Sequence, residues 1–249
     1  MPVWVEAGLW GLVAGGALVV GAAIAWFVRV PQRVVAGVMA FGAGVLISAL
    51  AFELMDEAER TGGLRATLVG FLVGAVAYVA GNVALSRRGA RHRKRSEDQQ
   101  PSESEQEGSG TAIALGALLD GVPESTVLGL SLLGGQGVGV AVLVAIFVSN
   151  LPEGLSSTAG MRRGGRSARF VFAVWGGIAL ASGLAGALGV LLLGGASAGT
   201  VAAITAVAAG AILAMVADTM IPEAFERTGT WTGLIAVVGF AAAFALSRA

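Results

Sequence analysis

Two short motifs place acidic side chains inside long apolar runs of the chain. The first, DGVPES, begins at Asp120, and the second, SNLPEG, begins at Ser149. Each motif has two polar side chains four residues apart, Asp120 with Glu124 and Ser149 with Glu153, and each pair shares one helix face. Asn150 adds an amide oxygen, and each proline frees the carbonyl group four residues before it. The motifs therefore predict two groups of oxygen atoms suited to binding a cation.

The elements that carry these motifs are predicted to be membrane-spanning helices. The chain is 55% hydrophobic and 13% charged with a mean hydropathy of +0.80, whereas soluble domains carry about 25% charged residues. An apolar segment of about 20 residues can cross the hydrocarbon layer. We therefore predict an all-α membrane protein, a single transmembrane domain over residues 1–249, with eight spans at 5–28, 34–57, 64–86, 111–133, 137–160, 168–194, 199–222 and 230–247. The absence of cysteine excludes disulfides and thiolate metal sites.

Basic residues indicate the orientation, because Arg and Lys in short loops stay on the cytoplasmic side. With both termini outside, all of the 16 basic residues except Arg60, Arg65 and Arg248 lie on the cytoplasmic side of a cell (plasma) membrane. Residues 87–110, a basic run followed by an acidic run rich in Ser and Gln, predict a disordered cytoplasmic loop. An alternative for this loop is metal capture by His92, the only histidine, together with the acidic half.

Five acidic side chains lie four or more residues inside the ends of predicted spans, and no basic residue lies that deep in any span to neutralise them. An ionised carboxylate at the bilayer centre is costly unless it faces a polar cavity or a partner. The sequence therefore predicts that a proton or a bound cation supplies the missing positive charge. The alternative is that protonated carboxyl groups join neighbouring helices by hydrogen bonds. The five residues are Glu53, Asp120, Glu124, Glu153 and Asp218.

The chain also contains an internal repeat. Residues 44–62, GVLISALAFELMDEAERTG, align with residues 210–229, GAILAMVADTMIPEAFERTG, with one residue inserted. The two segments belong to spans two and seven, which are predicted to cross the membrane in opposite directions. Inverted repeats are the usual architecture of secondary transporters, with the substrate site near the bilayer midplane. This pattern predicts that spans four and five lie between the repeats; a chance alignment of small apolar residues is the alternative.

The motifs, the repeat and the loop together resemble the ZIP (Zrt/Irt-like) family of divalent metal transporters. That family has eight spans, a variable cytoplasmic loop after the third, and HNxPEG-type motifs in the fourth and fifth. The segments FGAGVLISALAFELMDEA, AAGAILAMVADTMIPEA and SGLAGALGVLLL resemble its second, seventh and sixth spans. The resemblance implies a 3+2+3 arrangement of helices with inverted repeats. It also implies import of the metal by an elevator-like movement of one helix group against another.

Carried over position by position, the resemblance also implies a set of metal ligands. Asp120 and Ser149 stand at the two motif histidines, and Gly121 stands at the asparagine of the first motif. Gly186 and Ala187 stand where the sixth span of the family commonly has Glu-Pro. What remains is an oxygen-only site, which suits magnesium, manganese or calcium, whereas imidazole suits zinc. The implied metal ligands are Asp120, Glu124, Ser149, Asn150 and Glu153.

The sequence therefore predicts transport of a divalent metal ion (zinc, manganese or iron(II)) toward the cytoplasm through a carboxylate-lined site between spans four and five. The predicted partners are the metal ion and the lipid bilayer, with no nucleic acid and no prosthetic group; a homodimer is left open. A hydrolase with paired glutamates as base and acid is disfavoured because no nucleophile partnered by histidine is evident, so no enzyme is predicted. A metal-independent solute or proton pathway, or a non-transporting membrane protein of the same fold, is the alternative.

Overall fold

The chain folds as a bundle of helices. The computed structural model describes residues 1–90, 93–94, 100, 102, 104–106, 108–134 and 139–248. Within these residues it has ten α-helices and no strand. The helices are α1 (Val3–Phe27), α2 (Gln32–Ala49), α3 (Asp56–Gly62), α4 (Leu64–Leu85), α5 (Ser109–Ser131), α6 (Val140–Arg163), α7 (Ala168–Leu193), α8 (Ala198–Met215), α9 (Ile221–Thr228) and α10 (Trp231–Leu246).

Every predicted span has a helical counterpart. Among the described residues, seven helical segments are long and apolar enough to cross a membrane. The counterpart of the eighth predicted span is α10, which is apolar but has 16 residues, about 24 Å at 1.5 Å per residue. These helices indicate a multi-pass membrane protein, and the prediction of an all-helical membrane fold is confirmed at that level.

The two halves of the internal repeat have the same local structure. A π-helical turn at Leu50–Met55 joins α2 to α3, and a π-helical turn at Val216–Met220 joins α8 to α9. Both turns begin at the same distance from the glycine that opens the repeat, Gly44 in one half and Gly210 in the other. Turns of this kind inside α-helices are frequent at functional sites. The alignment of the two segments is thus matched by a shared irregularity of the backbone.

Several helices of the bundle pack in pairs, with their backbones close together. Helix α2 packs against α10, α4 packs against α8, and α1 packs against both α6 and α7. A Cβ atom at Gly44 would collide with the carbonyl group of Ala236 on α10, and one at Gly74 would collide with that of Val207 on α8. Small residues allow this approach, which gives membrane helices their van der Waals contact.

Both proline motifs lie inside continuous helices. Pro123 lies within α5 and Pro152 lies within α6. Helix α5 packs against α1, α7 and α8, while α6 packs against α1 and α2. Neighbouring helices can satisfy the backbone groups that proline frees in a membrane helix. The packing therefore places the middle of each motif helix, with its polar side chains, in the interior of the bundle.

Candidate functional site

Three carboxyl groups lie together in the interior of the bundle. Asp120 and Glu124 belong to α5 and Glu153 belongs to α6, and their exposed fractions are 2%, 1% and 3%. Asp120 and Glu153 are both electrostatic neighbours of Glu124. The fold thus brings together all the acidic residues of the two motifs.

A guanidinium group from the segment between α4 and α5 binds Asp120. Arg93 donates from Nε to Oδ2 of Asp120 at 3.0 Å and from Nη2 to Oδ1 at 2.9 Å. Tyr78 of α4 donates its hydroxyl to the same Oδ1 at 2.6 Å and accepts a hydrogen bond from Arg93 Nη2 at 2.9 Å. Arg93 Nη1 donates to Oδ1 of Asn82 at 2.7 Å. Paired hydrogen bonds between Arg and a carboxylate are among the strongest in proteins, so Asp120 is fully engaged.

Lys94 bridges the two motifs. Its Nζ donates to Oε2 of Glu153 at 2.8 Å and lies 3.4 Å from Oδ2 of Asp120. Burial lowers the pKa of Lys94, but attraction to Asp120 and Glu153 outweighs burial and holds the pKa above its ordinary value. The pKa of Arg93 is also raised: burial lowers it, and its contacts with Asp120 raise it by more. Both cations therefore keep their charge inside the site.

Backbone contacts hold these two cations in place. Ser156 of α6 donates its hydroxyl to the carbonyl oxygen of Lys94 at 2.5 Å. Gln100 donates from Nε2 to the carbonyl oxygens of Arg93 at 2.9 Å and of Ser157 at 3.1 Å. Glu223 of α9 lies beside the same serine, with Oε1 at 3.2 Å from Ser156 Oγ. The segment is therefore fastened to α6 as well as to the acidic side chains.

These contacts correct the expectation about what neutralises the buried carboxylates. A proton or a bound cation was expected to balance the acidic spans, and this is wrong for Asp120 and Glu153, because Arg93 and Lys94 supply the charge. Only basic residues inside the spans were expected to reach these carboxylates. Arg93 and Lys94 instead belong to the segment between α4 and α5, which folds back between the helices. Together with Gln100, they are buried. The disordered cytoplasmic loop over residues 87–110 stays a prediction. His92 lies outside the described residues.

Glu124 and Asn150 face each other, and Ser149 faces elsewhere. Glu124 has one carboxyl oxygen, Oε1, that is buried without a hydrogen-bond partner among the described residues. The Asn150 side chain is within hydrogen-bonding reach of Glu124 and donates from Nδ2 to the carbonyl oxygen of Ala14 at 3.0 Å. The Ser149 hydroxyl donates to the carbonyl oxygen of Ile146 in its own helix at 2.9 Å. Of the five predicted ligands, Ser149 alone is directed to its own backbone.

The site contains more acidic than basic side chains. Three acidic side chains, Asp120, Glu124 and Glu153, face two basic ones, Arg93 and Lys94. With all five ionised, the site carries one excess negative charge. Within the described part of the chain, no three His, Cys, Asp or Glu side chains form a group that could hold a metal ion. Arg93 and Lys94, called the tethered cations below, contact carboxylate oxygens of Asp120 and Glu153. A metal ion would need these oxygens as ligands.

A cavity lies toward the opposite end of α5 and α6 from Arg93. It has a volume of about 540 Å³, and its polar lining includes Glu53, Glu57 and Ser131. Val127 and Val142 line its apolar side and also belong to the buried core. Val127 stands one helical turn from Glu124, so an apolar layer separates the cavity from the carboxyl groups.

Sequence reasoning missed the basic residues and the α4 side chains of the site. Tyr78 and Asn82 are four residues apart on α4, and Tyr78 is the only tyrosine of the chain. That spacing places both on one helix face, which identifies a polar patch within an apolar span. The basic run that contains Arg93 and Lys94 gave no comparable indication, because six of its residues carry positive charge and only the fold selects two of them.

Gly116 makes room for Arg93, and we predict that Gly116→Ala lowers the stability of the protein. A Cβ atom at Gly116 would lie 2.5 Å from Cδ and 2.9 Å from Nε of Arg93, so the guanidinium group must move away from Asp120. We expect the free energy of unfolding to fall by about 1–3 kcal/mol. The measurement is the thermal unfolding midpoint in detergent, which should be lower than in wild type. The control is Gly121→Ala on the same helix, where the nearest atom would be at 3.6 Å. Equal midpoints for the two variants would contradict the prediction.

Comparison with known proteins does not assign the site. No protein-family profile matches the chain, and no characterised protein matches it significantly in sequence. Because a fold by itself does not determine function, the function has to be argued from the residues of the site.

Proposed function

We propose that the protein transports a divalent metal cation across the membrane through the carboxylate site between α5 and α6. The observation that carries this proposal is Glu124, which is 1% exposed and has a buried oxygen without a hydrogen-bond partner among the described residues. It stands in a site where three acidic side chains face two basic ones. Ionisation of Glu124 would give the site one excess negative charge, which is costly in the bilayer interior unless a proton or a bound cation meets it. During transport, a metal ion takes that place.

The surroundings of the site support an ion pathway with two closed ends. On one side, the cavity that Glu53 and Glu57 line provides an acidic entrance, which raises the local concentration of cations. The apolar layer at Val127 and Val142 closes this entrance. On the other side, Arg93 and Lys94 occupy the carboxylates. A cation that binds Asp120 and Glu153 must therefore displace the tethered cations, and alternating release of the two ends gives transport.

The helix pairing supports a ZIP-like architecture for this transporter. The repeat relates α2 to α8, and α4 and α10 are the helices that follow its two halves. The observed contacts are α2 with α10 and α4 with α8. Exchanged pairing of this kind is what a two-fold relation between inverted repeats produces. By this proposal the eight spans form a 3+2+3 arrangement in the plasma membrane, with both termini outside and transport toward the cytoplasm. Oxygen ligands favour manganese, with zinc and iron(II) also as substrates.

A second candidate is a metal-independent pathway for protons or a solute, or a membrane protein of this fold that does not transport. The favouring observation is that Arg93 and Lys94 already neutralise Asp120 and Glu153. In addition, no group of three potential metal ligands is assembled within the described residues. In this candidate the ion pairs join α4, α5 and α6 permanently.

Uptake of metal ions by reconstituted protein tests the proposal. Proteoliposomes are given Mn²⁺, Zn²⁺ or Fe²⁺, and uptake is compared for wild type, Glu124→Gln and Glu59→Gln. We expect uptake by wild type and a loss of about tenfold or more in Glu124→Gln, because a hydrogen bond or ligand contact to a charged group contributes about 1.5–3 kcal/mol. Glu59 is exposed and should leave uptake unchanged. Absence of uptake by wild type, or equal uptake by Glu124→Gln, would exclude metal transport through this site.

A further inference from the structure

A second polar cavity lies where α1 ends, α2 begins and α6 ends. It has a volume of about 360 Å³ and is lined by three arginines, Arg29, Arg162 and Arg163. Val28, Leu155 and other apolar side chains complete the lining. The cavity thus combines a concentrated positive charge with an apolar wall.

The three arginines lack a carboxylate partner within the described residues. Their side chains are exposed, and none of the three takes part in the ion pairs seen between described residues. Among the described residues that line the cavity, none is acidic. In addition, α2 begins at Gln32, a lining residue, so the positive end of a helix dipole lies at the same place. The cavity therefore favours an anion.

The cavity also lies at the level where the spans end and aromatic residues collect. Arg162 donates from Nη1 to the carbonyl oxygen of Trp26 at 2.9 Å and lies 5.6 Å from the centre of its ring. Phe172 contacts both Trp26 and Phe27, with ring centres at 6.3 and 6.5 Å, and Phe27 is exposed. Trp and other aromatic side chains gather at the boundary between hydrocarbon and headgroups.

We propose that this cavity binds the phosphate of an anionic phospholipid headgroup. The arginines would hold the phosphate oxygens by charge-assisted hydrogen bonds, while the apolar wall and the exposed aromatic ring contact the upper part of the acyl chains. Basic pockets between membrane helices bind anionic headgroups in this way. The inference is independent of the transport proposal, because it involves none of the residues of the carboxylate site.

Thermal unfolding of the full-length protein in a neutral detergent tests the inference. The unfolding midpoint is followed during titration with short-chain phosphatidylglycerol, with phosphatidylcholine of the same chains, and with inorganic phosphate. We expect phosphatidylglycerol to raise the midpoint and the other two to leave it unchanged. In Arg29→Gln/Arg162→Gln/Arg163→Gln, the half-saturating phosphatidylglycerol concentration should rise about 100-fold, since each arginine near an anionic headgroup contributes about 1 kcal/mol.

The control removes the same amount of charge from other arginines. Arg87→Gln/Arg88→Gln/Arg169→Gln should respond like wild type, because these three residues are exposed and do not line the cavity. If the first triple variant does not fold, Arg29→Gln/Arg163→Gln replaces it and keeps the hydrogen bond of Arg162 to Trp26. An equal response of cavity and control variants would overturn the inference. So would an equal shift with phosphatidylcholine, or a full shift with inorganic phosphate alone, which would identify a free anion as the ligand.

Discussion

Replacement of Asp120 by alanine is expected to destabilise the protein by about 3–5 kcal/mol, the range for removal of one partner of a buried ion pair. The substitution leaves the guanidinium group of Arg93 buried and removes the second carboxylate near Lys94. It also leaves the hydroxyl of Tyr78 without its acceptor. The measurement is the free energy of unfolding in detergent or, where unfolding is irreversible, the unfolding midpoint.

Two further variants establish that this effect comes from the buried pair. Asp120→Ala/Arg93→Ala removes both charges and should be more stable than Asp120→Ala alone, as a double-mutant cycle measures directly. Asp56→Ala breaks the exposed ion pair with Arg60, whose partners are 44% and 73% exposed. Such pairs contribute about 0–1 kcal/mol, so this variant should be nearly neutral. Purely additive effects of Asp120→Ala and Arg93→Ala would contradict the prediction.

Removal of the two tethered cations should open the carboxylate site to metal ions. In Arg93→Ala/Lys94→Ala, the carboxylates of Asp120, Glu124 and Glu153 are left without basic partners. We expect the apparent affinity for Mn²⁺ to rise about tenfold or more. If the metal-accessible state makes up about one part in ten of the wild-type protein, the apparent affinity of wild type is lowered about tenfold. Isothermal calorimetry in detergent measures the affinity. Mn²⁺ should also raise the unfolding midpoint of this variant, because a ligand that binds only the folded state stabilises it.

The matched control is Arg87→Ala/Arg88→Ala, which removes two exposed basic residues just before the buried pair. It should bind Mn²⁺ like wild type. Adding Glu124→Gln to the variant without Arg93 and Lys94 should abolish the gain. If that variant folds and Mn²⁺ neither binds nor stabilises it, the ion pairs are structural and the second candidate function is favoured.

A labelling experiment reports on the segment without any metal. The chain has no cysteine, so Ser156→Cys provides a single thiol next to the backbone of Lys94. A membrane-impermeant maleimide should react faster with this thiol when Arg93 and Lys94 are replaced by alanine than when both are present. Equal rates would mean that the two side chains do not cover the site.

The sequence by itself determined the membrane-spanning helices and the acidic character of the site. Long apolar runs must form helices in a bilayer because every backbone group needs an internal hydrogen bond. This constraint is local, so the spans can be read from composition alone. The spacing of Asp120 and Glu124, and the second motif at Glu153, likewise predicted carboxyl groups on helix faces, and all three are buried together.

Only the tertiary structure decided what neutralises those carboxyl groups. The basic run before α5 carries several equivalent cations, and no local pattern distinguishes Arg93 and Lys94 from Arg87 and Arg88. The choice depends on long-range geometry: Gly116 leaves space for the guanidinium group, while Tyr78 and Asn82 from another helix complete its hydrogen bonds. A buried charge is stable only where an opposite charge and hydrogen-bonding groups surround it. Those partners come from separate parts of the chain, so the folded structure alone brings them together.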